Sequence, residues 1–332
     1  MARCVPIILA SVQARIQRGL EEVHIHERIA LVYFLYIFGV SLLRDVPVLR
    51  RGALLCVPIC ISALICSEAA VSRPWSRVMR QWASLSLILI GYWLQAWVAG
   101  TPPGNIHPAW EAWDKHLLDG YGLNHVVEAF GWAGPALLET CYLLVYAIPP
   151  LSLGLVYACG ERRRANQYLA ILFLGTLSAY ALLPLFPTVS PRLAFPTDVP
   201  PFRGIARAIN IALLDRFDIS TGVFPSGHVA VAFSSALGLF TVMRKRFWVR
   251  GAAFAMTILV YIATIYGRYH YAIDGLASLG LVLATWVMSG AGTGLIAGRA
   301  PALVSKCGEM QSFSAAGSSY RHGNAWFRAL WK

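Results

Sequence analysis

Charge is scarce in this chain. Asp, Glu, Lys and Arg together make up 13% of 332 residues, whereas 57% are hydrophobic. Soluble domains carry about a quarter charged residues, so this balance argues against a water-soluble globular protein and for a membrane protein. Mean hydropathy is +0.58, in agreement. Acid is the scarcer sign, 16 residues against 28 basic ones, for a formal net charge of +12. That excess does not imply nucleic acid: the basic residues punctuate apolar runs instead of forming one patch, and arginine at the ends of spans sets membrane orientation. The seven cysteines lack metal-ligand pairing with histidine. Cys56, Cys60, Cys66, Cys141 and Cys159 lie in or beside apolar runs, as small core residues do, which excludes a disulfide framework. Internal repeats and a soluble domain are absent. The apolar stretch from Val5 to Ala10 is too short for a signal peptide, so the N-terminus is expected to stay uncleaved.

What is present is a series of apolar runs. A hydrocarbon core of about 30 Å takes roughly 20 helical residues. Eight segments qualify as spans: residues 28–43, 52–66, 82–99, 136–159, 166–186, 228–243, 251–266 and 273–290. The expectation is an all-α, polytopic helical bundle in three parts: residues 1–135 with the first spans and an interfacial segment, 136–290 as a helical core, and 291–332 as a flexible basic tail. Arg162, Arg163 and Arg164 form one basic cluster, and Arg244, Lys245, Arg246 and Arg250 another. Both belong in the cytoplasm, with both termini. The segment 101–135 holds Glu111, Asp114, Asp119 and Glu128 against one lysine and faces outward, as do residues 187–223 and the link through Arg268. Arg44, Arg50 and Arg51 disagree with this scheme, since it leaves them outside.

Two segments place polar groups where spans begin. Phe224-Pro225-Ser226-Gly227-His228 opens the sixth span. Pro and Ser suit a helix start, whose free N–H groups bind phosphate, and Gly227 admits a close anion. Arg268-Tyr269-His270-Tyr271-Ala272-Ile273-Asp274 opens the eighth. On a helix His270 and Asp274 share a face, so the carboxylate can take the proton of one imidazole nitrogen and leave the other free to attack. Each histidine alone also fits an interfacial residue, and Asp274 alone a dipole partner. Both motifs open spans pointing the same way, and ionisable groups beside membrane helices are costly.

Pro225-Ser226-Gly227-His228 and His270-x-x-x-Asp274 resemble the second and third signature motifs of the type 2 phosphatidic acid phosphatase superfamily. Residues 264–271, Thr-Ile-Tyr-Gly-Arg-Tyr-His-Tyr, resemble its branch containing the inositol phosphorylceramide synthases, which are inositolphosphotransferases. The resemblance covers roughly residues 176–290. It implies a metal-independent lipid phosphatase or phosphotransferase with its site at the outer membrane face and no cofactor. His270 would be the nucleophile that becomes a phosphohistidine, with Asp274 orienting it. His228 would protonate the leaving oxygen, and Ser226 with the Gly227 backbone would cradle phosphate. The implied partner is a membrane lipid substrate, and the implied setting a bacterial inner membrane.

The family's first motif, a lysine, six residues, then Arg-Pro, is missing. Ser190-Pro191-Arg192 stands in its region, making Arg192 the candidate phosphate clamp, with Arg203 and Arg207 as fallbacks. The usual Ser-Arg ahead of the third motif is replaced by Ala263 and Thr264. Arg268 then either supplies the missing charge or anchors the interface. His107, Trp110, Trp113, Asp114 and His116 read as an interfacial amphipathic helix with aromatic anchors, or as headgroup contacts. Glu139 reads as facing the aqueous boundary. A lipid-binding or transport protein that keeps the site without catalysis is the alternative class. It calls for mid-span charges or matched broken helices, and neither is evident.

Overall fold

In hydrocarbon every backbone N–H and C=O must be satisfied inside its own segment, and apolar runs of this length meet that demand as helices. The computed structural model describes residues 23–69, 74–102, 107–198, 200 and 202–290. The expectations for an uncleaved N-terminus and a flexible tail concern residues outside these. Among the described residues there is no strand, and one isolated bridge joins Thr188 to Gly222.

Among the described residues five helical stretches are long and apolar enough to cross a membrane. They are α1 (Ile25–Leu42), Val48–Ile65 within α2 (Val48–Ala69), Ala133–Ala158, Arg162–Leu182, and Phe247–Tyr266. The three other expected spans differ. Residues 82–99 divide at Leu85 into α3 (Pro74–Ser84) and α4 (Ser86–Leu94). A short amphipathic helix, α5 (His107–Lys115), and a one-turn α6 (Leu123–Glu128) follow. Next come α7 (Ala133–Leu144) and α8 (Ile148–Ala158), joined by a 3₁₀ turn ahead of Pro149 and Pro150. After α9 (Ala165–Leu182), the one-turn α10 (Pro191–Ala194) and α11 (Ile205–Phe217), the sixth and eighth expected spans are α12 (Gly227–Val242) and α14 (Ala272–Met288), flanking α13 (Phe247–Tyr266). These two are short at 16 and 17 residues. The residues just before them, Ser226 and Tyr271, are extended, because the chain there is still building loops.

The most enclosed span is α9, packed by α1, α12 and α14. Small residues permit the approach: a Cβ at Gly175 would strike Ser234 and lie 3.0 Å from Val282, and one at Gly238 would meet the Tyr168 ring at 2.7 Å. Large apolar side chains such as Val32, Leu35, Ile59, Leu64, Ile258 and Val287 point outward, as lipid-facing residues do. The discordant arginines have structural partners. Arg44 donates to the Pro184 carbonyl at 2.8 Å beyond the end of α9, and Arg51 donates to the Arg44 carbonyl at 2.9 Å. Arg50 lies over the Trp97 ring. At the opposite end Arg164 holds the Thr241 and Val242 carbonyls that finish α12.

The turn between α13 and α14 is fixed by α5. Glu111 and Asp114, three residues apart on one helical face, are buried and both pair with Arg268, which is itself 2% exposed. Asp114 also accepts the Ala272 N–H at 2.9 Å. Arg268 has φ +63°, a left-handed conformation that strains a side-chain-bearing residue, and these carboxylates hold it there.

Two outcomes follow from this packing. Gly175→Val should lower stability by about 1–3 kcal/mol, read as an earlier thermal transition in detergent, because α9 cannot back away from α12 and α14 together. An unchanged transition would contradict the close crossing. Burial pushes the Asp114 carboxyl up to about 7, against the opposing pull of the Ala272 N–H and of Arg268. Its unfolded value is near 3.9, so its contribution to stability is complete below that value and is lost as pH rises to about 7. Between pH 5 and 7.5 the wild type should therefore lose more thermal stability than Asp114→Asn; equal losses would contradict the buried carboxyl.

Candidate active site

The loops at the α12 and α14 starts are laced together by backbone bonds. Thr188 N–H donates to the Thr221 carbonyl at 3.1 Å, and Phe224 N–H to Thr188 Oγ1 at 3.0 Å. Arg192 N–H reaches the Arg268 carbonyl at 2.9 Å. Ser226 N–H donates to the Asp274 carbonyl at 3.1 Å, while Ser278 Oγ donates to the Ser226 carbonyl at 2.8 Å. The two helix starts are thus fixed side by side.

That junction sets the imidazoles. His270 Nδ1 lies 3.0 Å from the Val223 carbonyl and 3.4 Å from Asp274 Oδ2. A carbonyl can only accept, so Nδ1 carries the proton and Nε2 keeps its lone pair. Nε2 points at His228 Nδ1, 3.4 Å away, and His228 Nε2 lies 3.4 Å from the Tyr146 hydroxyl. Asp274, fully buried, also accepts Tyr271 N–H at 2.9 Å as the cap of α14. Ser226 Oγ caps α12 through Val229 N–H at 3.4 Å. At Gly227 a Cβ would come within 2.9 Å of the Tyr180 ring, so glycine is needed there for packing.

A column of rings supports His228. Tyr142 stacks on it at 4.5 Å and 20°, and on Tyr269 from the other side at 4.1 Å and 26°. The Tyr269 hydroxyl donates to Glu139 at 2.7 Å, Arg207 to the same carboxylate at 2.5 Å, and Asn210 to it at 2.8 Å. Glu139 therefore does not face water: it is buried, and it neutralises Arg207.

The arginines divide by partner. Arg192 donates to Asp215 at 2.9 Å, and its buried Nε has no partner. Arg268 is directed away from the imidazoles, at Glu111 and Asp114. Arg203 stays exposed on backbone carbonyls. Of the aromatic segment, Trp110 packs inward on Phe224 and Tyr271, Trp113 is partly exposed, and His116 rests on Tyr121. The His107 side chain is outside what the structure describes. Among the described residues no group of three or more His, Cys, Asp or Glu side chains is arranged to hold a metal ion.

Beside the imidazole pair opens a cavity of about 710 Å³, walled by α4, α7, α8, α11 and α12. His228, Gly227, Tyr146, Tyr92 and Asp218 line its polar part, while Leu85, Leu89, Trp93, Leu213 and Phe217 are among its apolar walls. Burial raises the Asp218 carboxyl above the usual carboxylate range, and Tyr92 donates to it. Tyr142, Tyr146 and Asp218 were not singled out from sequence. One signal was available: Glu139, Tyr142 and Tyr146 recur at i, i+3 and i+7, a polar stripe on an apolar helix.

Known proteins are similar to parts of this chain. A PA-phosphatase related-family protein of Dictyostelium discoideum is 35% identical over 101 residues, which are 29% of this chain and 18% of that protein, so the chain spans just under a fifth of its relative's length. No solved structure matches. The family model described as PAP2 superfamily matches residues 116–288, the segment that carries both imidazoles, their carboxylate and the ring column. The chain belongs to the PAP2 superfamily.

Proposed function

We propose that this protein is an integral-membrane enzyme that breaks the phosphoester of a lipid phosphate through a phosphohistidine at His270. The observation that carries this reading is the sandwiching of His270 Nδ1 by the Val223 carbonyl and Asp274, which leaves Nε2 facing His228. In the first step Nε2 attacks phosphorus and the lipid alkoxide leaves with a proton from His228. In the second, water or an alcohol gives its proton to His228 and attacks phosphorus, which frees His270. Water yields a phosphatase and an alcohol a phosphotransferase. The Thr264–Tyr271 resemblance favours transfer, although the two reactions share every residue of the first step.

The first N–H groups of α12, at Gly227 and His228, have no partner within the helix and suit the phosphate oxygens, beside Ser226. Arg192 is the clamp we assign: its backbone N–H meets the Arg268 carbonyl in the loop that carries His270, its Nε is unpaired, and it lacks the buried acidic partners of Arg207 and Arg268. Arg268 contributes through the loop it fastens to α5. These groups meet the charge of the transition state without a metal ion. The cavity beside His228 suits the apolar part of the substrate. Orientation follows from charge. The basic residues at 162–164 and 244–246 lie at the end of the bundle opposite His270, and cytoplasmic arginine then puts the site at the outer face of the membrane. With all eight helical segments crossing, both termini are cytoplasmic.

The test is phosphate release from a panel of lipid phosphates and diphosphates by purified protein in detergent with EDTA. His270→Ala should abolish release, and His228→Ala should reduce it by about 10²–10⁴-fold. Full activity in His270→Ala would overturn the nucleophile assignment. If no panel member releases phosphate and an added alcohol acceptor becomes phosphorylated instead, the enzyme is a transferase.

A further inference from the structure

We propose that Asp218 binds a hydroxyl of the lipid substrate, making the enzyme selective for lipid phosphates with a free hydroxyl next to the phosphoester. This rests on the function proposed above. A carboxylate beside a site for a phosphate dianion weakens anion binding, so its presence calls for a partner other than phosphate. Asp218 lines the same cavity as His228, Gly227 and Tyr146. It is the one carboxylate among the lining residues, in walls that are mostly apolar or aromatic.

The Asp218 carboxylate is held in place and still has capacity to spare. Tyr92 donates its hydroxyl to Oδ1, and Ile219 N–H donates to that hydroxyl at 3.4 Å. An ionised carboxylate offers about four acceptor sites, and bonds from Tyr92 and the Ile219 backbone still leave room for a ligand. Arg192, whose charge acts on Asp218 as well as on Asp215, moderates the negative field. Asp218 stands at the end of α11, five residues before the Val223 carbonyl that fixes His270. A shift of this loop would therefore move both together. A substrate with phosphorus at the imidazoles and its tail along Leu85, Leu89 and Phe217 passes Asp218 where head meets tail. There a hydroxyl donates to the carboxylate. A tail without one leaves a desolvated acceptor unpaired, which penalises the wrong substrate.

The experiment uses the full chain in detergent and two single-tailed lipid phosphates. One has a free hydroxyl beside the phosphoester, and the other has hydrogen at that carbon. The wild type should prefer the hydroxylated lipid by roughly tenfold or more in kcat/KM, the scale of a hydrogen bond to a charged group. Asp218→Ala should remove that preference by slowing the hydroxylated lipid, with the deoxy lipid changed by less than about threefold. Asp218→Asn, which keeps an oxygen acceptor and the shape, should retain part of it. Equal wild-type rates on both lipids would overturn this inference alone. Equal slowing of both lipids in Asp218→Ala and in Asp218→Asn would assign Asp218 to structure and also overturn it. No turnover of either lipid by the wild type, with or without an alcohol acceptor, would overturn the phosphoester reading and this inference with it.

Discussion

Asp274 joins three requirements in one residue. Its side chain accepts Tyr271 N–H and so starts α14, the same oxygen faces His270 Nδ1, and its carbonyl takes Ser226 N–H from the start of α12. The carboxylate is fully buried, so it is costly in isolation and worth keeping only where its partners are fixed. Here the fixing of the partners serves the proposed function: one nitrogen of His270 is committed to a proton, and the other is left with its lone pair facing His228. The ring column from Glu139 through Tyr269 and Tyr142 to His228 fixes the second imbalance, the direction in which His228 presents its Nδ1.

The same economy governs the other charges in this largely apolar chain. Arg268 meets Glu111 and Asp114, and Arg207 meets Glu139, each pair bringing together segments far apart in sequence. Buried pairs of this kind add little net stability, but removing one partner strands the other, so they specify arrangement. Both pairs serve the site: one pins the turn before His270, the other the tyrosine behind His228. The small shared volume between α9, α12 and α14 sets the helices that carry these loops.

Much of this was legible in the sequence. Composition and the length of the apolar runs gave an all-α membrane bundle. Pro225-Ser226-Gly227-His228 and His270-x-x-x-Asp274 gave the motifs that the structure brings together, because helix starts and i, i+4 spacing are local properties. Arg268 was different. The sequence allows it to be a phosphate clamp or an interfacial anchor, and its actual partners lie more than 150 positions earlier, where the 3.6-residue period marks Glu111 and Asp114 as sharing a face without saying what that face meets. Glu139 looked like a boundary residue for the same reason, since Arg207 and Asn210 come from another helix. Asp218 left no sequence signal: it sits at a helix end in a loop of ordinary composition, and the cavity alone brings it to His228. The halved third span and the shortened sixth and eighth also escaped hydropathy, which counts apolar residues and does not register a helix that ends early to build a loop.

The account stands or falls on a covalent intermediate at His270. The direct measurement is a rapid acid-free quench of the enzyme with a lipid phosphate radiolabelled at phosphorus, followed by digestion and mapping of the label. The account predicts a base-stable, acid-labile label on the peptide that contains His270, present in the wild type and missing from His270→Ala. Turnover without any labelled peptide, or a label residing on His228, would contradict it.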